Sequence, residues 1–372
     1  MRIIYVSDAI YPYNKGGKEK RLYDVTTRLA AQGHEIHIYC MKWWTGPENH
    51  RVEKGVHLHA ISPLYPLYDG DRRSIKQGIL FGLHCLKLLF VRFDVIDVDS
   101  MPFFPILFTR IVCWLRFKWM YATWHEVWGL EYWNKYLGDR GGIAFAIELL
   151  SAHLPDRIIS VSPLTTNRLE YNLHRKQGVE TITCGIDIPH IRSVKPFPKK
   201  VDMLYAGRLL KHKNVDFILE TLDILRRQGK KVTATIVGDG PEKKNLKKLA
   251  KELGVDEMVE FIDFVPSHDE VLARMKSSNI FVLPSEREGF GLVAIEANAC
   301  GIPFATYNSP TNATAYLTDL RNGWVFRNNS QLGRLIDRAI GINKKHARGW
   351  HIAKKYDWEN ITHKLVTFYK SW

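Results

Sequence analysis

The chain is poor in what would tie it to secretion, to a structural metal or to a membrane span. Its 372 residues hold five cysteines (Cys40, Cys85, Cys113, Cys184 and Cys300), scattered, odd in number and without a Cys-x-x-Cys pair. Most lie in apolar runs, the setting of free thiols in a reducing compartment, which argues against a disulfide framework. No run reaches the ~20 apolar residues of a membrane span. The candidate from Phe103 to Tyr121 is broken by Arg110, Arg116 and Lys118. Met1 to Ser7 reads directly as a strand, and Asp8 comes too early for the apolar part of a signal peptide, so a cytoplasmic protein is expected. Zinc-ligand spacing, an RNP-type motif and a helix-turn-helix signal are all missing, and nucleic acid is not an expected partner. Acidic residues are also short: 53 Lys and Arg against 39 Asp and Glu give a net charge of +14 and a pI near 9.4. Such a balance points to an anionic partner, phosphate or membrane surface among them, without choosing one.

At 372 residues the chain suits two domains of roughly 150–200 residues each, and 45% hydrophobic with 25% charged residues fits a soluble globular protein. Apolar strand runs alternate with longer helical runs in both halves. Ile3–Ser7, Glu35–Cys40, Asp94–Asp97, Trp119–Thr123, Arg157–Ser162 and Glu180–Cys184 read as strands of the first half. The rhythm restarts at Val201–Ala206 and continues through Val232–Val237, Val259–Ile262 and Ile280–Leu283. Between the halves, 189–200 carries three prolines and four basic residues and reads as a linker. The fold class expected is α/β, with two Rossmann-like domains, 1–190 and 198–355, facing a central cleft. A last helix, about 356–372, is expected to pack back on the first domain.

Four stretches carry the chemistry. The most informative is Glu288-Gly-Phe-Gly-Leu-Val-Ala-Ile-Glu296, which follows a strand and opens a helix that Gly301 stops. Strand, glycine turn and helix start aim free N–H groups at one point, an anion site, with two carboxylates beside it. The second is Gly207-Arg208-Leu-Leu-Lys-His-Lys213, where Arg208 and Lys213 stand at a strand's carboxyl end and can clamp a pyrophosphate. The third is Gly16-Gly17, where a backbone could approach a bulky anion just ahead of a helix. It lacks the Gly-x-Gly-x-x-Gly spacing, and no acid closes the second strand, which ends in Tyr39-Cys40; both argue against an NAD enzyme. The fourth is Thr123-Trp-His125-Glu-Val-Trp128, set among Trp133 and several tyrosines. A histidine there can donate a hydrogen bond to a ligand hydroxyl or stabilise charge. Most of those aromatics suit packing, with Trp128 and Trp133 singled out as acceptor contacts.

Together these strings resemble the retaining glycosyltransferases of the GT-B fold, in particular family 4, whose Glu-x7-Glu signature the stretch from Pro284 to Pro303 matches. The resemblance implies that Glu296 binds ribose hydroxyls and Glu288 holds the transferred sugar. Phe290, Gly291 and Leu292 then support sugar and phosphate through backbone N–H groups, Arg208 and Lys213 hold the diphosphate, Gly16 and Gly17 close the phosphate site, and His125 faces the sugar. Asp263-Phe-Val-Pro266 falls near the base. Two departures stand out: Cys184 replaces a usual Asn, and Asn308–Ala315 replaces a Gly-Gly…Glu segment. Asp97-Val-Asp99 has the form of a metal-binding pair, but basic residues stand where the diphosphate needs neutralising, so no metal and no cofactor are expected.

The activity implied is retaining, metal-independent transfer from a UDP- or GDP-linked sugar to a glycan, lipid-linked or other hydroxyl acceptor. The basic, aromatic stretch from Tyr65 to Trp119 adds an expectation of peripheral contact with anionic membrane. The rival readings are a hydrolysing nucleotide-sugar epimerase of the same fold and a non-catalytic basic protein that binds membrane or nucleic acid.

Overall fold

Runs of Ile, Val and Leu that are apolar at every position suit strands covered on both faces, and such strands form two parallel sheets here. The computed structural model describes residues 1–14, 16–70, 72–265, 267–341 and 349–371. The chain divides into two compact units, Met1–Thr183 with Ile361–Trp372, and Cys184–Asn360.

The first unit has a sheet of eight strands: β1 (Arg2–Val6), β2 (Glu35–Met41), β3 (His50–Glu53), β4 (Val56–Ser62), β5 (Val95–Asp99), β6 (Met120–Trp124), β7 (Arg157–Ser160) and β8 (Val179–Thr181). Their order is β8-β7-β6-β5-β1-β2-β4-β3. All pairings are parallel except β3 with β4. Strand order reverses beside β1, which lies between β5 and β2. Helices α1 (Gly17–Ala31), α2 (Ile75–His84), α3 (Phe104–Leu115), α4 (Gly129–Leu137) and α5 (Gly141–His153) belong to the same unit. The β3–β4 hairpin was not among the strands read from the sequence. His50-Arg-Val-Glu53 is a half-exposed edge strand without an apolar run, and its turn at Lys54 and Gly55 uses positive φ at both positions (49° and 79°).

The last helix, Trp358–Lys370, joins the first unit from Ile361 onward. Buried Tyr369 donates its hydroxyl to Asp97 Oδ2 at 2.5 Å, and Thr123 Oγ1 donates to the same carboxylate. Burial pushes the Asp97 carboxyl up to about 6 while those donors oppose it. Trp372 lies outside the described residues.

The second unit has six parallel strands: β9 (Val201–Ala206), β10 (Ala234–Val237), β11 (Val259–Ile262), β12 (Ser278–Leu283), β13 (Phe304–Tyr307) and β14 (Gly323–Phe326). Their order is β11-β10-β9-β12-β13-β14, so strand order reverses between β9 and β12. The stretch 189–200, expected as a linker, is tied into this unit. Ile188–Ser193 is a helix whose start is capped by Asp187, and Phe197 N–H donates to Ala273 O at 3.0 Å. Pro189 sits in the first turn of that helix, where its missing N–H costs nothing.

Strands β2, β3 and β4 carry four histidines on one sheet face. His37 Nδ1 and His59 Nε2 are 2.8 Å apart, His50 Nε2 and His57 Nδ1 3.1 Å, and the two pairs stack with ring centroids 4.7 Å apart. Burial, reinforced by the neighbouring imidazoles, pushes His59 down to about 4; burial also lowers His37 although Glu35 opposes it. An imidazole that resists protonation when folded binds more protons when unfolded, so it costs stability as pH falls from the free value near 6.5 toward about 4. The thermal midpoint is expected to drop through that window. His59→Asn should flatten the drop in a pH series of melting curves; an unchanged slope would show that the array does not titrate this way.

Candidate active site

Ligands of open parallel sheets bind beyond the carboxyl ends of the strands, where strand order reverses. The residues singled out from sequence divide between the two units. Arg208, Lys213, Glu288, Phe290, Gly291, Leu292 and Glu296 belong to the second unit; Gly16, Gly17, His125, Trp128 and Trp133 belong to the first.

In the second unit, β9 runs into Gly207 and Arg208. Gly207 N–H donates to Val237 O, and a Cβ on Gly238 would strike the Gly207 carbonyl, so the two strand-end loops touch backbone to backbone. Buried Tyr205 donates its hydroxyl to Arg208 O at 3.1 Å, which fixes the turn while the Arg208 side chain stays exposed. The 3-10 turn Lys211–Lys213 ends at Asn214 in the left-handed region (φ 49°). His212 O accepts from Glu286 N–H, joining this turn to the loop after β12. Lys213 Nζ then meets Glu288 Oε1 at 2.6 Å, with both side chains mostly buried. The two residues assigned to different parts of a ligand are thus partners of each other.

Gly291 precedes the helix Leu292–Ala299 with φ 89°, and a Cβ there would collide with Thr314 Oγ1. Among the described residues none accepts from the N–H groups of Phe290, Gly291 and Leu292. The segment Asn308–Ala315, noted as a departure, builds this corner. Thr311–Asn312 pairs in parallel with Arg287–Glu288, and Asn312 Nδ2 donates to Ser285 O, Thr306 Oγ1 and Tyr307 O at 2.8–3.0 Å. A buried amide therefore secures the loop that carries Glu288. Glu296, 7% exposed, pairs through Oε1 with His268 Nε2 at 2.8 Å, and its Oε2 is buried without a partner among the described residues. Asp263 is exposed beyond β11, and Pro266 lies outside the described residues.

In the first unit, Gly16 caps α1 with extended backbone (φ −92°, ψ 165°), and a Cβ there would meet the Glu19 carboxylate. A Cβ on Gly17 would meet nothing within 4 Å, and one on Gly16 would meet only the movable end of the Glu19 side chain, so neither glycine is sterically required within the chain itself. Lys18 follows. Its Nζ donates to Asp8 Oδ1 (3.1 Å), Asp99 Oδ2 (2.8 Å) and Met101 O (2.7 Å). Burial works against its charge, but the Asp8 and Asp99 carboxylates outweigh that and raise its pKa above the ordinary lysine value. Asp8 also accepts from Arg73 and Gln77. His125 Nε2 faces Asp99 Oδ1 at 3.7 Å, and burial pushes its pKa down to about 4 against the pull of Asp99, so the ring is neutral at pH 7. Asp97 and Asp99 are held by separate donors, Thr123 and Tyr369 for one, Lys18 and Ser7 for the other. Among the described residues no group of three His, Cys, Asp or Glu gathers as a metal cluster.

Trp133, expected as an acceptor contact, is a core residue. It is 7% exposed, packs near Phe103 and Trp128, and donates its indole N–H to Glu148 Oε2 at 2.8 Å. Trp128 is half-buried, and its backbone N–H donates to Glu148 Oε1. Glu148 is fully buried and also accepts from Gly129 N–H; burial raises its pKa against these three donors. Sequence reasoning missed Lys18, Asp8, Glu148 and His268. Lys18 had one local signal: a cation in the first turn of a helix opposes the macrodipole and calls for acidic partners. Glu148→Ala should destabilise the first unit by about 3 kcal/mol, because buried donors lose their acceptor. Denaturant unfolding measures this, and a loss under about 1 kcal/mol would show water taking over the role.

The comparisons with known proteins bear on the fold and the family. Sucrose-phosphate synthase of Thermosynechococcus elongatus superimposes with a TM-score of 0.76 at 17% identity, over 99% of this chain and 98% of that one. HepE of Anabaena, in complex with UDP and glucose, gives 0.74 at 17% identity over 100% of both chains. These neighbours define the class: the chain has the GT-B glycosyltransferase fold. Two families match in sequence, Glycosyl transferases group 1 over residues 187–356 and Glycosyltransferase Family 4 over residues 15–189. A Haemophilus influenzae protein named as an uncharacterized glycosyltransferase is 34% identical over 319 residues, 85% of this chain and 83% of its own length. The chain belongs to the group 1, family 4 glycosyltransferases.

Proposed function

We propose that the chain transfers a sugar from a UDP- or GDP-linked donor to a hydroxyl of a glycan or lipid-linked acceptor, with retention at the anomeric carbon and without a metal ion. The observation that carries the donor half of this reading is Glu296. A buried carboxylate oxygen with no partner is costly, and at the place where strand order reverses it marks a seat for a ligand hydroxyl. HepE, a neighbour of the same fold, holds UDP and glucose.

In this reading the bond from the anomeric carbon to the diphosphate oxygen breaks, a bond from that carbon to the acceptor oxygen forms, and the acceptor's hydroxyl proton passes to the departing diphosphate. Negative charge grows on the departing diphosphate. Arg208, Lys213 and the N–H groups of Phe290, Gly291 and Leu292 receive it, fixed in advance by the strand-end loops. Lys213 and Glu288 neutralise each other at 2.6 Å. A phosphate drawing Lys213 away frees Glu288 to accept from sugar hydroxyls. In the first unit, neutral His125 can donate to a hydroxyl, and Gly16 and Gly17 offer backbone to an anion at the start of α1. Trp128 is the acceptor contact retained.

A thermal-shift and calorimetric panel of UDP- and GDP-sugars should show one stabilising donor. Arg208→Ala should weaken it about 10–100-fold, the worth of one charge-assisted pair, and Glu296→Ala comparably. Unchanged affinity in both variants would remove this site from donor binding. Activity is expected to persist in EDTA and the product to keep the donor's anomeric configuration by NMR; an inverted product would refute the retaining mechanism.

A further inference from the structure

Helix α2 and its 3-10 continuation Cys85–Phe90 run alongside α3 in the same direction. The small residues allow this close approach: a Cβ on Gly78 would touch Pro102 and Phe104, and one on Gly82 would touch Phe104 and Phe108. Each element turns an apolar stripe to solvent. On the first, Ile75, Ile79, Leu83, Leu86 and Phe90 recur at helical spacing and are all exposed, Phe90 at 87%. On the second, Ile111, Trp114 and Leu115 are exposed, and the chain beyond continues with Phe117 at 94% and Trp119 at 46%. Single exposed apolar residues are ordinary in soluble proteins, but two adjacent stripes ending in four aromatic rings are not.

The charge on this layer has one sign. No Asp or Glu occurs from Arg72 to Phe93 or from Ser100 to Trp119, while Lys76, Lys87, Arg92 and Lys118 stand among the apolar residues. Two rings carry guanidinium partners: Arg110, whose charge is paired with Asp156 at 2.5 Å, lies over Trp114 at 5.1 Å, and Arg157 lies over Trp119 at 5.9 Å. Arg116 does not point outward; it donates to Leu89 O and Val91 O and holds the end of α3 against Phe90 and its neighbours. Phe117 is held in the left-handed region (φ 54°) just after it, which turns its ring away from the core. Apolar side chains among cations, on helices that carry no acid of their own, complement the headgroup boundary of an anionic bilayer, where Trp and Phe enter the interface and Lys and Arg meet phosphates. A protein partner would be expected to find acidic as well as basic groups at its polar rim, and none is supplied by these helices. No helix among the described residues is long and apolar enough to cross a membrane, so the contact runs along the surface.

We propose that the face built by α2, Cys85–Phe90, α3 and Phe117–Trp119 is a docking surface for an anionic lipid bilayer, with Phe90, Trp114, Leu115 and Phe117 as the inserted side chains. It does not rest on the donor reading, and its lipid-binding readout needs no sugar nucleotide.

The full chain is floated with vesicles of phosphatidylcholine alone or mixed with phosphatidylglycerol. Binding is expected on the mixed vesicles only, to be lost in 0.5 M salt as screening would require, and to blue-shift tryptophan emission. Phe90→Ser with Phe117→Asn, the latter chosen because Asn tolerates positive φ, should lower the bound fraction at least ~10-fold. Lys87→Glu with Lys118→Glu should do the same, while melting temperature and nucleotide-sugar stabilisation stay as in the native chain. No flotation, equal binding to neutral vesicles, or binding unaffected by both pairs would overturn the proposal. So would concentration-dependent dimerisation abolished by Phe90→Ser with Phe117→Asn, which would give the face to a second copy.

Discussion

Each sheet changes direction of growth beside one strand, and the rest of the site follows from that reversal. Where neighbours on the two sides of a parallel sheet connect on opposite faces, their carboxyl-end loops part and leave a crevice lined by backbone. In the second unit the parting falls between β9 and β12, so Gly207-Arg208 and the loop of Glu288 come from adjacent strand ends. In the first it falls beside β1, and Lys18, Asp99 and His125 converge from α1, β5 and β6.

Electrostatics inside these two corners differ in kind. The first-unit corner buries one lysine between two carboxylates, and its histidine is kept neutral by burial, so the corner is prepared to orient rather than to carry charge. The second-unit corner keeps Arg208 exposed and Lys213 on a single acid, beside a helix start with unspent N–H groups. Positive potential that is only partly neutralised suits a leaving diphosphate. The remaining basic excess falls partly on the helical layer of the first unit, where it accompanies exposed aromatic rings in place of acids.

Much of the fold was legible because it is local. Val201–Ala206, Val259–Ile262 and the helix Leu292–Ala299 begin and end where apolar runs and glycine stops place them. The β3–β4 hairpin was not legible, since an edge strand needs no apolar run and His50-Arg-Val-Glu53 has none. The prolines of 189–200 signalled a linker, yet one of them starts a helix, because proline marks a helix beginning as readily as a break. Aromatic residues were the least informative: Trp128 and Trp133 look alike in sequence, but a buried Glu148 recruits the second indole into the core.

Residue order along the chain was sufficient for the elements, the glycine turns and the kinds of charged group near each strand end, since these depend on neighbours a few positions away. Which charges meet was set by sheet order. Lys213 and Glu288 are 75 residues apart and Lys18 and Asp99 are 81, and only the crossing of strands brings each pair within 3 Å. A carboxylate's chemistry is written in its residue type, but its partner, its hydration and hence its charge at a given pH belong to the folded distance.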